Sequence, residues 1–253
     1  MAEKTGIEWA DSTWNPVVGC TRVNKGCEHC YAERLSGRLS GMGLSKYAGL
    51  TRADSGRWTG DVRLDERTLT GQLGRWKSGR RVFVCSMSDL FHEKVHKSWR
   101  VRVFEEMSRH RQHRYILLTK RFQRMAEFIY DVPYMEVFEE VWWGMTAFDQ
   151  ASYNTALGWL HQMPCNFRKW LSLEPLLGPI YARNNYLNVV RGVVVGGETG
   201  PGARRMHVEW VDQVYDQCAE AGVQFFFKRW SDGGVPAGES RCTYRGVLHQ
   251  ELF

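Results

Sequence analysis

The sequence predicts an α/β fold, and three observations predict it. Short, continuous apolar runs recur along the chain, amphipathic stretches separate them, and polar or charged residues follow directly after the runs. Continuous apolar runs mark strands covered on both faces, as in parallel sheets. Repeated strand–helix units imply right-handed crossovers, which either a (β/α) barrel or a doubly wound sheet satisfies.

The elements follow in chain order. An early strand-like segment spans 14–18. Apolar runs predict strands over 81–85, 115–118, 141–145, 169–173, 192–195 and 223–227. Helical periodicity covers 97–109, 121–130, 150–162 and 208–221, the last stopping at Gly222, a good position for a helix C-cap. Residues 37–79 are rich in Gly, Arg, Asp and Ser and weak in strand signals. They read as a long insertion with some helix, a class more often functional or mobile than structural. The tail, 231–253, reads as a surface extension with a short hairpin at most. No internal repeat or linker interrupts the chain, so one domain over 1–253 is expected.

The 253 residues and 43% hydrophobic content are ample for a core, and no stretch approaches a membrane span. Residues 1–14 are polar, with no secretory leader, which points to a reducing, cytoplasmic compartment. A net charge of +6 permits a nucleic-acid partner without demanding one. Arg-rich patches at 75–81, 109–114 and 204–205 read as either solvated surface or nucleic-acid contacts. Of the eleven tryptophans, Trp9, Trp14, Trp142, Trp143, Trp170 and Trp230 lie near predicted strands, mostly as core.

Cys20, Cys27 and Cys30 share one loop with C-x6-C-x2-C spacing. Closely spaced thiolates hold iron–sulfur clusters. Three of them can bind three irons of a 4Fe-4S cubane and leave the fourth open for chemistry. Structural zinc prefers four ligands in two separated pairs, but His29 keeps zinc as an alternative. A disulfide does not suit a reducing compartment. Cys165 and Cys218 read as small buried hydrophobes. Cys85 differs because it ends a strand beside polar residues.

The strand ends carry the remaining candidates: Ser86, Ser88 and Asp89; Lys120 with Arg121; Thr146; Glu174 with Ser172; Glu198; and Lys228. In α/β folds, ligand sites are built at the carboxyl ends of strands. The cysteine loop follows an early strand and is expected on that same face. The alternatives are ordinary ones: polar loops, a helix cap at Asp89, and ion pairs for Glu198, Lys120 and Lys228. The glycine-rich loop 196–202 lacks the residues of a phosphate-binding P-loop, and its Glu198 favours a cationic or hydroxylated group.

Cys27-Glu28-His29-Cys30-Tyr31 resembles the second half of the radical S-adenosylmethionine cysteine motif, C-x3-C-x2-C. Tyr31, and segments 84–89 and 117–121, are similar to the branch that includes spore photoproduct lyase. Nearly the whole chain resembles a phage and prophage family of three-Cys-motif proteins of unknown function. That likeness rests on segments 7–9, 13–16, 172–179 and 196–204, on Ser86-Met87-Ser88-Asp89-Leu90-Phe91-His92, and on Leu118-Thr119-Lys120-Arg121. The chain departs from the radical motif in its first gap, six residues rather than three. Its Gly-Gly-Glu also ends a later strand than in those enzymes, so Glu198 is not given the role that triplet has there.

The resemblance implies a partial TIM-type β/α barrel with the cluster loop at the C-terminal face of the strands. It implies a 4Fe-4S cluster on Cys20, Cys27 and Cys30, with S-adenosylmethionine on the open iron. Ser86, Ser88 and Asp89 would hold the cofactor's amino group, and Thr146 and Glu174 its ribose or carboxylate. Glu198, Lys120 and Lys228 would face the substrate, expected to be DNA or a nucleotide in a modification or repair reaction. An electron donor is implied, and for a phage protein the host cytoplasm. The alternative is a cluster-bearing nucleic-acid-binding or regulatory protein that never cleaves the cofactor.

Overall fold

The computed structural model describes residues 5–133, 135–182 and 186–250. The first four residues of the polar N-terminal segment and the last three of the expected tail lie outside the described residues. The strands are β1 (Ser12–Trp14), β2 (Val17–Val18), β3 (Arg63–Leu64), β4 (Arg81–Val84), β5 (Arg114–Thr119), β6 (Val141–Ala147), β7 (Arg168–Leu173), β8 (Gly192–Gly196) and β9 (Gln224–Arg229). The helices are α1 (Tyr31–Gly41), α2 (Glu66–Gly71), α3 (Lys97–Arg109), α4 (Phe122–Asp131), α5 (Val137–Glu140), α6 (Gln150–Gln162) and α7 (Val208–Ala221). The main sheet has seven strands in the order β1-β4-β5-β6-β7-β8-β9, and a two-stranded sheet joins β2 to β3. The expected α/β class is therefore observed. The β1–β4, β4–β5, β7–β8 and β8–β9 pairings are all parallel.

The chain divides into two compact units, Met1–Val23 with Cys30–Trp142, and Asn24–His29 with Trp143–Phe253. In the first, β4 and β5 are apolar because both faces are covered. Val82, Phe83, Val84, Tyr115, Ile116 and Leu117 are all buried. Pro16 breaks the expected 14–18 strand. Proline donates no hydrogen bond, so a continuous ladder cannot pass through it. Its carbonyl instead accepts from the Asp65 N–H. The chain leaves the main sheet after β1 and re-pairs as β2 with β3 in antiparallel register, Val17 opposite Leu64 and Val18 opposite Arg63.

That register gives residues 37–79 a packed structure. Tyr47, Leu50 and Trp58 form an apolar cluster with Val18, Ala32 and Met87, and Cys20 and Cys30 pack against it. Asp65 caps α2 by accepting from the Thr68 N–H.

In the second unit, every residue of β8 is buried. An Asp149–Ser152 capping box starts α6. Gly222, at φ +64°, ends α7 with its N–H on the carbonyls of Cys218 and Ala219. The expected hairpin in the tail is present as a Tyr244–Val247 bridge. It is more than surface: Tyr244 is buried among Tyr215, Phe225, Phe227 and Trp230. Tail carbonyls also accept from the N–H groups of Phe227 and Trp230. The expected core tryptophans Trp9, Trp14, Trp143, Trp170 and Trp230 are buried.

One cysteine expectation is corrected. Cys218 is buried but Cys165 is exposed, because it lies in the turn between α6 and β7, where the Phe167 N–H bonds back to Pro164.

Candidate functional site

In the first unit, the carboxyl end of β4 and the cysteine loop are stitched together. Gly19 N–H donates to the Met87 carbonyl at 3.1 Å, and Ser88 Oγ donates to the Gly19 carbonyl at 2.6 Å. The Tyr31 hydroxyl donates to the Ser86 carbonyl at 2.8 Å. Asn15 Oδ1 accepts from both Ser86 Oγ and the Met87 N–H. Ser86, Ser88 and Asp89 thus lie beside the loop that carries Cys20. The Ser86 hydroxyl gives its proton to Asn15 and the Ser88 hydroxyl gives its to Gly19, and each keeps lone pairs able to accept.

Asp89 is buried, and four donors use its carboxylate: the N–H groups of Phe91 and Lys120, Thr119 Oγ1 and Arg121 Nη1. It therefore ties the end of β4 to the end of β5. The helix cap expected as an alternative for Asp89 does not form, because the next helix begins only at Lys97; the Phe91 N–H closes a local turn on its carboxylate instead. Lys120 offers Asp89 its backbone N–H.

Arg121 begins the turn into α4; the sequence placed it beside Lys120 at a strand end but gave it no role. Its side chain is 5% exposed and reaches five groups. Nη1 donates to Asp89 at 3.1 Å and to Cys20 Sγ at 3.8 Å, Nε to Glu93 at 2.8 Å, and Nη2 to the Thr21 hydroxyl at 2.7 Å and the Thr21 carbonyl at 3.4 Å. Burial alone would lower its pKa, but Asp89, then Cys20 and Glu93, outweigh that and hold the guanidinium charged. Burial likewise raises Glu93, yet the Arg121 bonds prevail and keep its carboxyl below the ordinary value. Cys85, buried at the end of β4 at φ +60°, is pushed by burial to about 12. It is an unreactive thiol.

His92 completes the network. Its Nδ1 accepts from the Lys94 N–H at 3.0 Å, so the ring proton sits on Nε2 and donates to Thr21 Oγ1 at 3.0 Å. Burial, then Arg121, depresses its pKa from 6.5 to about 4. A folded-state pKa below the unfolded one means that the unfolded chain takes the proton first as pH falls. Stability is therefore whole above about 6.5 and declines toward pH 4, by about 2 kcal/mol between pH 7 and 5. Urea unfolding at those two pH values is expected to show this loss in the wild type and a smaller one in His92→Gln. His113, also depressed by burial, is common to both proteins and cancels. Equal losses would remove His92 as the source.

The insertion closes against the same loop. Glu33, on α1, binds Arg22 through its guanidinium and accepts the Trp58 N–H at 2.7 Å. Its buried carboxylate joins the cysteine loop to residue 58.

In the second unit, Cys27 is buried and its thiol faces Asn24 Oδ1 at 3.7 Å. Glu174 and Lys228 pair at 2.6 Å, with Ser172 Oγ donating to Glu174 at 3.2 Å. These groups stand at the carboxyl ends of β7 and β9. Glu198 is buried and gripped by Arg204 through its backbone N–H, at 2.8 Å, and its guanidinium. Burial works to raise the Glu198 pKa, but the Arg204 bonds hold it below the ordinary value. Arg204 also reaches Glu28 at 2.9 Å and the Lys25 carbonyl at 2.8 Å, so the glycine-rich loop grips the segment that carries Cys27. His29 Nε2 lies 3.9 Å from Glu198. The ion-pair alternatives for Glu198 and Lys228 are thus both realised. Thr146 Oγ1 is buried in β6 without a hydrogen-bond partner among the described residues.

No disulfide joins any of the seven cysteines. Among the described residues, no group of three or more His, Cys, Asp or Glu is gathered closely enough to hold a metal ion, and no helix is long and apolar enough to cross a membrane. The donor chemistry of the cysteine loop still fits an iron–sulfur cluster: all-thiol, with a buried guanidinium donating to one sulfur and two of the three cysteines packed on apolar side chains.

No curated protein and no solved structure matches the chain. A family model matches residues 4–245, and the chain belongs to that family, described as "Protein of unknown function (DUF5131)".

Proposed function

We propose that this chain is an iron–sulfur protein of the radical S-adenosylmethionine type, with a partial TIM-type β/α barrel. Cys20, Cys27 and Cys30 would hold three irons of a 4Fe-4S cluster. The observation that carries the reading is the anchoring of the cysteine loop on the Ser86–Asp89 turn. A loop stitched to a strand's carboxyl end by the bonds of Gly19, Ser88 and Tyr31 is fixed where α/β folds build their ligand sites. Bound there, the cluster supplies one-electron reduction of S-adenosylmethionine.

The chain's own residues do the rest. Ser86 and Ser88 offer hydroxyl lone pairs, because their protons go to Asn15 and Gly19, and lone pairs are what an ammonium needs. Asp89 supports that contact from behind, by fixing the turn and Arg121. Thr146 brings an unspent buried hydroxyl, and Glu174 a carboxylate already balanced by Lys228. Glu198, Lys120 and Lys228 would meet the substrate. We take that substrate to be DNA or a nucleotide, a class that the net charge of +6 permits and the resemblance to the spore photoproduct lyase branch favours.

Anaerobic reconstitution with iron and sulfide, then dithionite and S-adenosylmethionine, is expected to yield 5′-deoxyadenosine above a cluster-free control. A reducible cluster without deoxyadenosine, with nucleic acid present, would favour the regulatory alternative. Cys27→Ala is expected to lose the cluster, and full iron content in that variant would overturn the ligand assignment.

A further inference from the structure

We infer that Arg121 is a positioning residue that sets the reduction potential of the cluster on the cysteine loop. This inference rests on the function proposed above. Nη1 of Arg121 points an N–H at Cys20 Sγ from 3.8 Å, inside a network that allows it little other freedom. Asp89 and Glu93 hold two edges of the guanidinium, and Thr21, the residue after Cys20, receives a third. With 5% of its side chain exposed, Arg121 has little water beside it to screen its charge.

Hydrogen bonds to cluster sulfurs and nearby charge are the protein's main levers on cluster potential. Reduction adds one negative charge to the cluster. A fixed cation donating to a ligand sulfur stabilises the reduced form more than the oxidised form and raises the midpoint. The two carboxylates are not equivalent. Asp89 is buried and anchors the cation, whereas the Glu93 side chain is 55% exposed and sits at the edge of the network. Glu93 therefore trims the positive charge without carrying the fold.

These roles predict shifts of opposite sign. The test is a potentiometric titration of the reconstituted cluster with dithionite, followed by electron paramagnetic resonance, with iron content measured in parallel. The step is uptake of one electron from dithionite, and no bond is broken. Arg121→Gln is expected to lower the midpoint, and Arg121→Lys to lower it less, since an ammonium keeps the charge but lacks the fork. Glu93→Gln is expected to raise it, with iron content and circular dichroism unchanged. If Arg121→Gln fails to load iron, Glu93→Gln decides. Unchanged midpoints in loaded variants would overturn the role of Arg121 and leave the cluster assignment standing. A wild-type chain that takes up no iron would overturn the cluster assignment, and this inference with it.

Discussion

Asp89→Ala is expected to destabilise the protein by about 3–5 kcal/mol, the range for breaking one partner out of a buried ion pair. The mutation removes more than a charge. The N–H groups of Phe91 and Lys120 lose their acceptor, and Thr119 Oγ1, itself buried, loses the group it donates to. Arg121 keeps Glu93 but loses its buried counterion. Each orphaned donor costs about 1–3 kcal/mol when water cannot reach it, though relaxation makes the sum smaller than the parts. Asp89→Asn keeps the shape and one acceptor oxygen, so a smaller loss is expected. Urea unfolding of the three proteins at pH 7 would measure both differences. A loss under about 1 kcal/mol in Asp89→Ala would reduce Asp89 to a turn cap on Phe91. In the expected case, iron uptake should weaken along with stability, because Asp89 fixes the side chain that faces Cys20.

The two expectations for Asp89, a helix cap and a ligand contact, show what a sequence reveals and what it withholds. Strands β4, β5, β7 and β8 were legible because each carries a short apolar run buried on both faces. The end of α7 was legible because Gly222 takes a conformation that glycine favours. Such signals are local. The break at Pro16 was partly local too, but the pairing of β2 with β3 joins residues more than forty positions apart, Val18 to Arg63, and no periodicity announces it. The Arg121 network joins residues 21, 89, 93 and 121 across three loops. Read singly, those residues are a threonine, two acids and a cation of ordinary surface type. Only burial makes them a unit. Cys165 failed for the opposite reason: cysteine is usually buried, and a turn exposed it.

Gly19→Ala should be the second large loss, about 3–5 kcal/mol from backbone strain and overpacking together. Gly19 adopts φ +92°, a region that side chains rarely enter, and a Cβ built there would lie 2.1 Å from the Asp61 carbonyl oxygen. Asp61 cannot retreat easily. Two residues on, Arg63 is paired with Val18, and three residues back, the Trp58 N–H is held by Glu33. Leu50 Cδ2, at 3.1 Å, crowds the same Cβ from the apolar cluster. Something must yield, and the weaker partner is the stitch from Gly19 to Met87 and Ser88. The strain would pass directly to Cys20. Gly43→Ala supplies the control: its φ is +81°, but nothing lies within 4 Å of the added carbon. It reports backbone strain alone, about 1–2 kcal/mol. If both variants lose the same stability in urea, the approach of Asp61 to Gly19 contributes nothing. If Gly19→Ala loses more, and protease then cuts between residues 50 and 60 in that variant alone, the insertion is a wall of the cysteine loop.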